Sequence, residues 1–214
     1  MVTDSTLNAG VLTLQEFAMA EELPLAVIQA AVLEFLRDRP DVVIFGAQAV
    51  NAWVSEPRMT QDIDLLSLQA AELAEAVRQL LATQFQIAVR IRAVKTGLGY
   101  RVYQLRKTGN RHLVDIRQVD TLPPAESIED LLVIAPAALI AYKVVALHQR
   151  QGKPKAGTDW RDIAMLLLAF PELKADPGPV TTALQALRAS APVMAVWQDL
   201  VQQDIQPLDE EEDF

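Results

Sequence analysis

Residues 42–66 constrain the fold of this chain more than any other segment. A short apolar run, Val42–Phe45, ends at Gly46, and a second apolar run downstream contains Asp62 and Asp64. This order predicts a buried strand, a glycine turn, a short helix and a second strand. Strand residues two positions apart project to the same side, so the carboxylates of Asp62 and Asp64 are predicted about 6–7 Å apart on one face.

The Asp pair and the glycine turn together predict a site for a nucleoside triphosphate. Two carboxylates this close repel each other unless a cation lies between them. Mg²⁺ prefers such oxygen ligands and commonly shares them with substrate phosphates. Upstream, Gly46 opens the short helix, and a helix N-terminus with a bare backbone favours an anion.

The N-terminal part is predicted to be α/β. The hydrophobic periodicity and the turn residues indicate three helices and five strands. The helices are predicted over 12–38, 47–54 and 70–83, and the strands over 42–45, 62–66, 86–94, 100–106 and 112–119. The last three strands are predicted to form an antiparallel meander.

The C-terminal part is predicted to be helical. Pro123-Pro124 marks a break, and from Ser127 onward the chain is predicted to contain helices only. Thr158 is the expected N-cap of one of these helices. The predicted helices cover 136–149, 158–170, 179–189 and 192–203. We therefore expect an α/β domain over 1–125, a helical domain over 126–206 and an acidic tail over 207–214.

Composition narrows the class of protein. The chain has no Cys, which excludes disulfides, thiolate chemistry and Cys-ligated zinc. Only His112 and His148 could supply imidazole ligands, and they are far apart in sequence. The N-terminus lacks the pattern of a signal peptide, and no apolar run reaches the ~18 residues of a membrane span. We expect a cytoplasmic protein without a membrane partner.

The charge is unevenly distributed. A net charge of −9 argues against a general nucleic-acid coat. Residues 90–118 nevertheless hold eight basic residues and a single acid, Asp115. Either these are strand residues that alternate into solvent, or they form a basic face for polyphosphate or RNA. The basic residues are Arg90, Arg92, Lys95, Arg101, Arg106, Lys107, Arg111 and Arg117.

Four further residues each allow a structural and a functional interpretation. Asp115 lies in an apolar strand context, where a carboxylate needs a partner or a metal. It is either a salt-bridge partner of a nearby Arg, or a third carboxylate that binds metal or acts as general base. Gly46 could serve only as a tight turn. Arg58 and Thr60, just before the Asp pair, are either a structural ion pair and cap or part of the site.

A second group of candidates lies in the helical part. Lys143 is on an otherwise apolar helix face, and Arg150 follows on nearly the same face. Both could extend their charged ends into solvent, or Lys143 could reach the triphosphate. Asp159 and Asp162 lie three apart on a helix. They either orient Lys143 or are solvated.

These residues resemble the nucleotidyltransferase superfamily that shares the DNA polymerase β fold. Its motif is a glycine turn, a short helix, Asp-x-Asp and a later Asp, which Gly46-Ala47, Asp62/Asp64 and Asp115 match. More narrowly, Pro-Arg-Met-Thr-Gln-Asp-Ile-Asp-Leu-Leu at 57–66 resembles the AbiEii/MenT-like group, which includes toxins of toxin–antitoxin pairs. The downstream signature of that group is matched by Lys143, Arg150, Lys153/Lys155 and Asp159/Asp162.

The resemblance implies an α+β fold, in which a small mixed-sheet nucleotidyltransferase core is flanked by helices and followed by a helical bundle. It also implies Mg²⁺-dependent transfer of a nucleoside monophosphate from an NTP to a hydroxyl acceptor. Asp62, Asp64 and Asp115 would hold the metal, Asp115 would also activate the acceptor, and Lys143 would neutralise the leaving group. Nucleotide binding would fall to Gly46, Ala47, Arg58, Thr60, Lys143, Arg150 and Asp162.

The resemblance leaves the acceptor and the partners open. The acceptor is either RNA, with tRNA ends as the example from this group, or a small hydroxylated molecule such as an antibiotic. An antitoxin protein is a further candidate partner. Ala47 stands where the family usually has Gly or Ser, so a phosphate-binding hydroxyl is missing. This departure favours a third alternative, a non-catalytic member that binds a nucleotide or a partner.

Overall fold

The computed structural model describes residues 23–94 and 97–207. These residues form seven strands and seven α-helices. In chain order the elements are α1 (Leu25–Leu36), β1 (Val42–Phe45), α2 (Gly46–Trp53), β2 (Ile63–Ser67), α3 (Ala70–Phe85), β3 (Val89–Val94), β4 (Gly99–Gln104), β5 (Arg111–Gln118), β6 (Ala125–Ile128), β7 (Leu131–Ile134), α4 (Pro136–Gln149), α5 (Pro154–Ala169), α6 (Pro179–Ala186) and α7 (Ala191–Gln202). A 3-10 turn, Pro171–Leu173, follows α5.

All seven strands belong to one mixed sheet, in the order β3-β4-β5-β2-β1-β7-β6. The predicted meander of β3, β4 and β5 is confirmed as antiparallel. Strand β5 then runs parallel to β2, and β1 pairs antiparallel with β2 and parallel with β7. Strands β1 and β2 therefore lie in the interior of the sheet, which explains why their sequences are almost continuously apolar.

Two compact units make up the chain. The first comprises residues 1–52 and 57–134, and the second comprises 53–56 and 135–214. In the first unit, α3 buries Leu73, Val77 and Leu81, three and four residues apart, on one stripe. This helix packs on β3, β4 and β5 and covers one face of the meander.

The second unit is built from helices. Helix α4 packs against α5, α6 and α7, and its buried residues include Leu139, Ile140 and Val144. Trp197 on α7 is fully buried, and its indole N–H donates to the hydroxyl of Thr181 at 3.3 Å. No helix in the described part of the chain is both long and apolar enough to cross a membrane.

Two expectations about the later part of the chain are wrong. Residues from Ser127 onward are not all helical, because β6 and β7 form a hairpin that completes the sheet. Its two-residue loop, Glu129-Asp130, has φ values of 51° and 64°. Positive φ at both loop residues is the geometry that joins twisted antiparallel strands, and it is an unusual one for Glu.

The start of α5 also differs from the expectation. The helix begins at Pro154 with Lys153 as its N-cap, so Thr158 lies inside the helix. Proline suits the first helical turn because it has no N–H to leave unpaired there. The part of the predicted first helix that covers 12–22, and most of the acidic tail, lie outside the described residues.

Candidate active site

Four charged residues lie in one row across the first unit's sheet. Asp64 on β2 is opposite Asp115 on β5, Asp115 is opposite Arg101 on β4, and Arg101 is opposite Arg92 on β3. Directly opposed residues of neighbouring strands share a face, and neighbouring strands are about 4.8 Å apart. We call Arg92, Arg101, Asp115 and Asp64 the charged row. It places two cations beside two carboxylates on one face.

Asp64 lies against Gly46. The glycine opens α2 with φ of 71°, a conformation that other residues rarely adopt. A Cβ added there would lie 2.0 Å from Oδ2 of Asp64 and 2.7 Å from its Cβ. Gly46 is therefore more than a turn residue, because the Asp64 side chain occupies the space a side chain would need. The carboxylate also lies at the N-terminal end of α2, where a negative charge is favoured.

Asp62 precedes β2 by one residue and carries its own partner. Its Oδ2 lies 3.0 Å from Nδ1 of His112, and both side chains are partly exposed. The hydroxyl of Thr60 donates to the backbone carbonyl of Asp62 at 3.0 Å. The predicted cap role of Thr60 is therefore present as a bond that fixes the backbone just before the Asp pair. His112 also packs against the ring of Tyr103, with centroids 5.1 Å apart.

Asp115 is paired with Arg101 within the charged row. The guanidinium Nε donates to Oδ2 of Asp115 at 3.2 Å. The pKa of Arg101 is raised above its ordinary value, first by a hydrogen bond with Tyr103 and also by the charge of Asp115. The structure therefore contains the salt bridge predicted as one role of Asp115. A carboxylate in this ion pair can still serve as a metal ligand or a general base.

The loop before the Asp pair is held by two amide side chains that the sequence reasoning missed. Asn51 on α2 donates to the carbonyl of Arg58 at 2.8 Å and accepts from its N–H at 3.0 Å. Gln29 on α1 donates to the carbonyl of Thr60 at 3.3 Å. The guanidinium of Arg58 donates to the carbonyl of Met59 at 3.3 Å. The available signal for Asn51 was an amide in a short helix whose other residues are mostly apolar.

The meander carries an exposed basic face. Because alternate residues share a face, Arg90, Arg92, Arg101 and Arg117 lie on the same side as the charged row, and all four are exposed. The Arg117 guanidinium lies over the ring of Phe45, 4.7 Å from its centroid. The arginines therefore continue directly from the candidate carboxylates rather than lying on a separate surface.

The first unit offers oxygen ligands suited to Mg²⁺. Asp64 and Asp115 are directly opposed, and Mg²⁺ is commonly held by one or two carboxylates together with substrate phosphates and water. Within residues 23–94 and 97–207, no group of three or more His, Asp or Glu side chains is arranged to enclose a metal. The opposed carboxylates of Asp64 and Asp115 fit a metal that also binds substrate oxygens. The metal assignment of Asp62, Asp64 and Asp115 stays a prediction.

The candidates of the second unit form a buried ionic cluster. Nζ of Lys143 lies 2.5 Å from Oδ2 of Asp162 and 3.7 Å from Oδ1 of Asp159. Nη1 of Arg150 donates to Oδ2 of Asp159 at 2.6 Å. The two acids are buried, so the solvated alternative for them is wrong. Lys143 is oriented by Asp162 across α4 and α5, as the other alternative expected.

The structure thus gathers the candidates into two groups, one in each unit. Asp62 and Asp64 lie at the start of β2, Asp115 lies opposite Asp64 within β5, and Asp64 lies beside Gly46. The buried Ala47 follows Gly46 in α2. Lys143, Arg150 and Asp162 form the cluster of the second unit. Their roles in nucleotide binding stay predictions.

The fold is that of a nucleotidyltransferase. It is similar to the Megavirus polyadenylate synthase, with a TM-score of 0.58 and 14% sequence identity over 71% of this chain and 32% of that chain. This chain therefore spans about a third of the synthase's length. It is also similar to JHP933 from Helicobacter pylori, with a TM-score of 0.51 and 14% identity over 90% of this chain and 92% of that chain.

A family model that covers most of the chain identifies the family. The model of the family described as "Nucleotidyl transferase AbiEii toxin, Type IV TA system" matches residues 30–213, and the chain belongs to that family. No sequence among the curated proteins matches it.

Proposed function

We propose that this protein transfers a nucleoside monophosphate from an NTP to a hydroxyl acceptor and releases pyrophosphate. The observation that carries the proposal is the juxtaposition of Asp64 and Asp115 on neighbouring strands beside Gly46, within a nucleotidyltransferase fold. Membership of the AbiEii family supports the same reaction class.

The chain's own residues would divide the work as follows. Asp62, Asp64 and Asp115 would hold Mg²⁺, which supplies charge stabilisation on the phosphates. Asp115 would accept the proton of the acceptor hydroxyl. Backbone N–H groups at the start of α2, at Gly46 and Ala47, would donate to the triphosphate, because a helix N-terminus favours anions.

The remaining candidates would bind the nucleotide. Arg58 and Thr60 lie in the loop that Asn51 holds in place, so their positions are fixed before substrate arrives. Lys143 would neutralise charge on the leaving group, with Arg150 and Asp162 setting its position. This role requires Lys143 to exchange a buried carboxylate for a phosphate.

The biological setting is proposed from the family. Its description as a toxin of a type IV toxin–antitoxin system supports an antitoxin partner and a cytoplasmic location. An RNA acceptor, with tRNA ends as the first candidate, is supported by the exposed arginine face. A small hydroxylated acceptor is the alternative.

A non-catalytic member of the fold is the second candidate function. The observation in its favour is that Asp62 and Asp115, both candidate metal ligands, already have side-chain partners from neighbouring strands. His112 lies against Asp62, and Arg101 is paired with Asp115. Such a protein would bind NTP without turnover.

Transfer is tested with α-labelled NTPs. The protein is incubated with Mg²⁺, each labelled NTP in turn and total tRNA, beside an Asp62→Ala/Asp64→Ala double variant. A matched control is Asp41→Ala, which removes a carboxylate paired with Arg39 and outside the charged row. Label should enter RNA with wild type and Asp41→Ala, and should not enter with the double variant.

The outcomes separate the candidates. Substantial label transfer by a folded double variant would refute the assignment of Asp62 and Asp64. NTP binding without transfer to RNA or to hydroxylated small molecules would favour the non-catalytic candidate.

A further inference from the structure

The charged row has a polarity that bears on which acceptors this protein selects. Moving across the sheet from the meander, the residues are Arg92, Arg101, Asp115 and Asp64. One half of the row is cationic and the other anionic, with adjacent members about one strand spacing, ~4.8 Å, apart. The two halves meet at the pair of Arg101 and Asp115.

Arg101 is the member that can exchange partners. It donates through Nε to Asp115 at 3.2 Å, and its side chain is 44% exposed whereas that of Asp115 is 13% exposed. A guanidinium carries five N–H donors and recognises carboxylates and phosphates with the same planar geometry. A phosphate that arrives from solvent therefore meets Arg101 before it meets the carboxylate.

Arg101 loses little when it leaves this pair, because its guanidinium is exposed enough for water to replace the carboxylate. Asp115, by contrast, needs a cationic or hydrogen-bonding partner because it is mostly buried. When Arg101 leaves, an acceptor hydroxyl supplies that interaction by donating a hydrogen bond to the carboxylate.

We propose that Arg101 selects acceptors that carry a phosphate beside the reacting hydroxyl, by transferring its hydrogen bond from Asp115 to that phosphate. The phosphate then lies on the cationic half of the row, and the hydroxyl lies at Asp115. This inference rests on the proposed nucleotidyl transfer and names its acceptor class. Cationic acceptors are disfavoured, because Arg92 and Arg101 repel them.

Three acceptor probes that differ in the phosphate they carry test the selection. Adenosine has no phosphate, AMP has a terminal phosphate, and the dinucleotide ApA has an internal phosphodiester. Affinities are measured by calorimetry with Mg²⁺ and a non-transferable α,β-methylene NTP, which keeps the probes out of the nucleotide site. The proteins are wild type, Arg101→Gln, Arg101→Lys and the matched control Arg92→Gln, which removes one charge from the same row.

Wild type should bind a phosphate-bearing probe at least roughly ten-fold more tightly than adenosine, the size of one charge-assisted hydrogen bond. Arg101→Gln should remove that preference, because the phosphate of AMP or ApA loses its cationic partner. Arg101→Lys should restore part of it, and Arg92→Gln should reduce it by less. Preference for ApA over AMP indicates a polynucleotide acceptor, and the reverse order or equal binding indicates a phosphomonoester.

NMR detects the loss of the hydrogen bond between Arg101 and Asp115 without any measurement of activity. The ¹³C carboxyl resonance of Asp115, assigned with Asp115→Asn, should shift when ApA binds the wild-type protein. In the Arg101→Gln protein the resonance should already be shifted before ApA is added. Equal affinity of wild type for all three probes overturns the proposal. So does an equal loss of preference in Arg92→Gln and Arg101→Gln, or a carboxyl signal that ApA leaves in place. Phosphate preference without any transfer would refute the proposed reaction and leave the selection by Arg101 standing.

Discussion

Gly46→Ala is expected to destabilise the protein through a collision with Asp64. The added Cβ would lie 2.0 Å from Oδ2 and 2.7 Å from Cβ of Asp64. A rotamer change could move Oδ2 away, but Cβ is fixed by the backbone of β2. The strand or the start of α2 must therefore shift, and the opposed Asp64 and Asp115 shift relative to each other.

The magnitude follows from two costs. Placing alanine in the left-handed region costs about 1–2 kcal/mol. Forcing an extra methyl into a packed site costs about 1–3 kcal/mol more. The free energy of unfolding should fall by about 2–5 kcal/mol in all, and nucleotidyl transfer should fall with it because the two carboxylates are displaced.

Gly152→Ala separates the two costs. Gly152 has φ of 76°, close to the 71° of Gly46, and a Cβ there meets nothing within 4 Å. Gly152→Ala therefore includes only the cost of placing alanine in the left-handed region. Both variants replace glycine with alanine, so the change in unfolded-chain entropy is the same for both and cancels in the comparison. Equilibrium urea unfolding measures both. An equal loss of stability in the two variants would refute the claim that Asp64 fills the space at Gly46.

Two further substitutions test the supports of the candidate residues. Asn51→Ala removes both bonds to the Arg58 backbone and should cost about 1–3 kcal/mol in urea unfolding, with weakened NTP binding; stability and NTP affinity equal to wild type would contradict this. Lys143→Met leaves Asp162 buried without its cation and should cost about 3–5 kcal/mol, whereas adding Asp162→Leu should restore most of it. Strictly additive losses in that double variant would show that the two side chains do not act as a pair.

Much of the sheet could be predicted from local pattern. The strand, glycine turn, helix and strand at 42–67 follow from apolar runs and turn residues, and so does the meander. The hairpin of β6 and β7 could not, because its four-residue strands are short and its loop lacks the Asn or Gly that usually marks positive φ. The apolar residues of β7 also run into those of α4, so the sequence resembles one helical segment.

The candidate site could be predicted as a set of residues but not as a set of pairs. The spacing of Asp62 and Asp64 predicts a shared face without any tertiary information, although β2 begins only at Ile63. The partnership of Asp115 with Arg101 depends on strand register, and a bulge between Val102 and Tyr103 shifts that register along β4 and β5. Local sequence does not fix such a register, because it is set by how the strands pack.

The chain passes from the first unit to the second and back again. This path determines whether the units can be separated by one cut and in which order their contacts form during synthesis. Residues 53–56, which are the last residue of α2 and the three residues after it, belong to the second unit. Trp53 packs edge-on against Phe170, with ring centroids 5.9 Å apart. No single cut in the chain therefore separates the units. A ribosome that has just completed β7 has synthesised every strand of the sheet but has not yet synthesised Phe170. The ring contact between Trp53 and Phe170 can form only after α5 has been synthesised, and a fragment that ends at residue 134 would lack this contact.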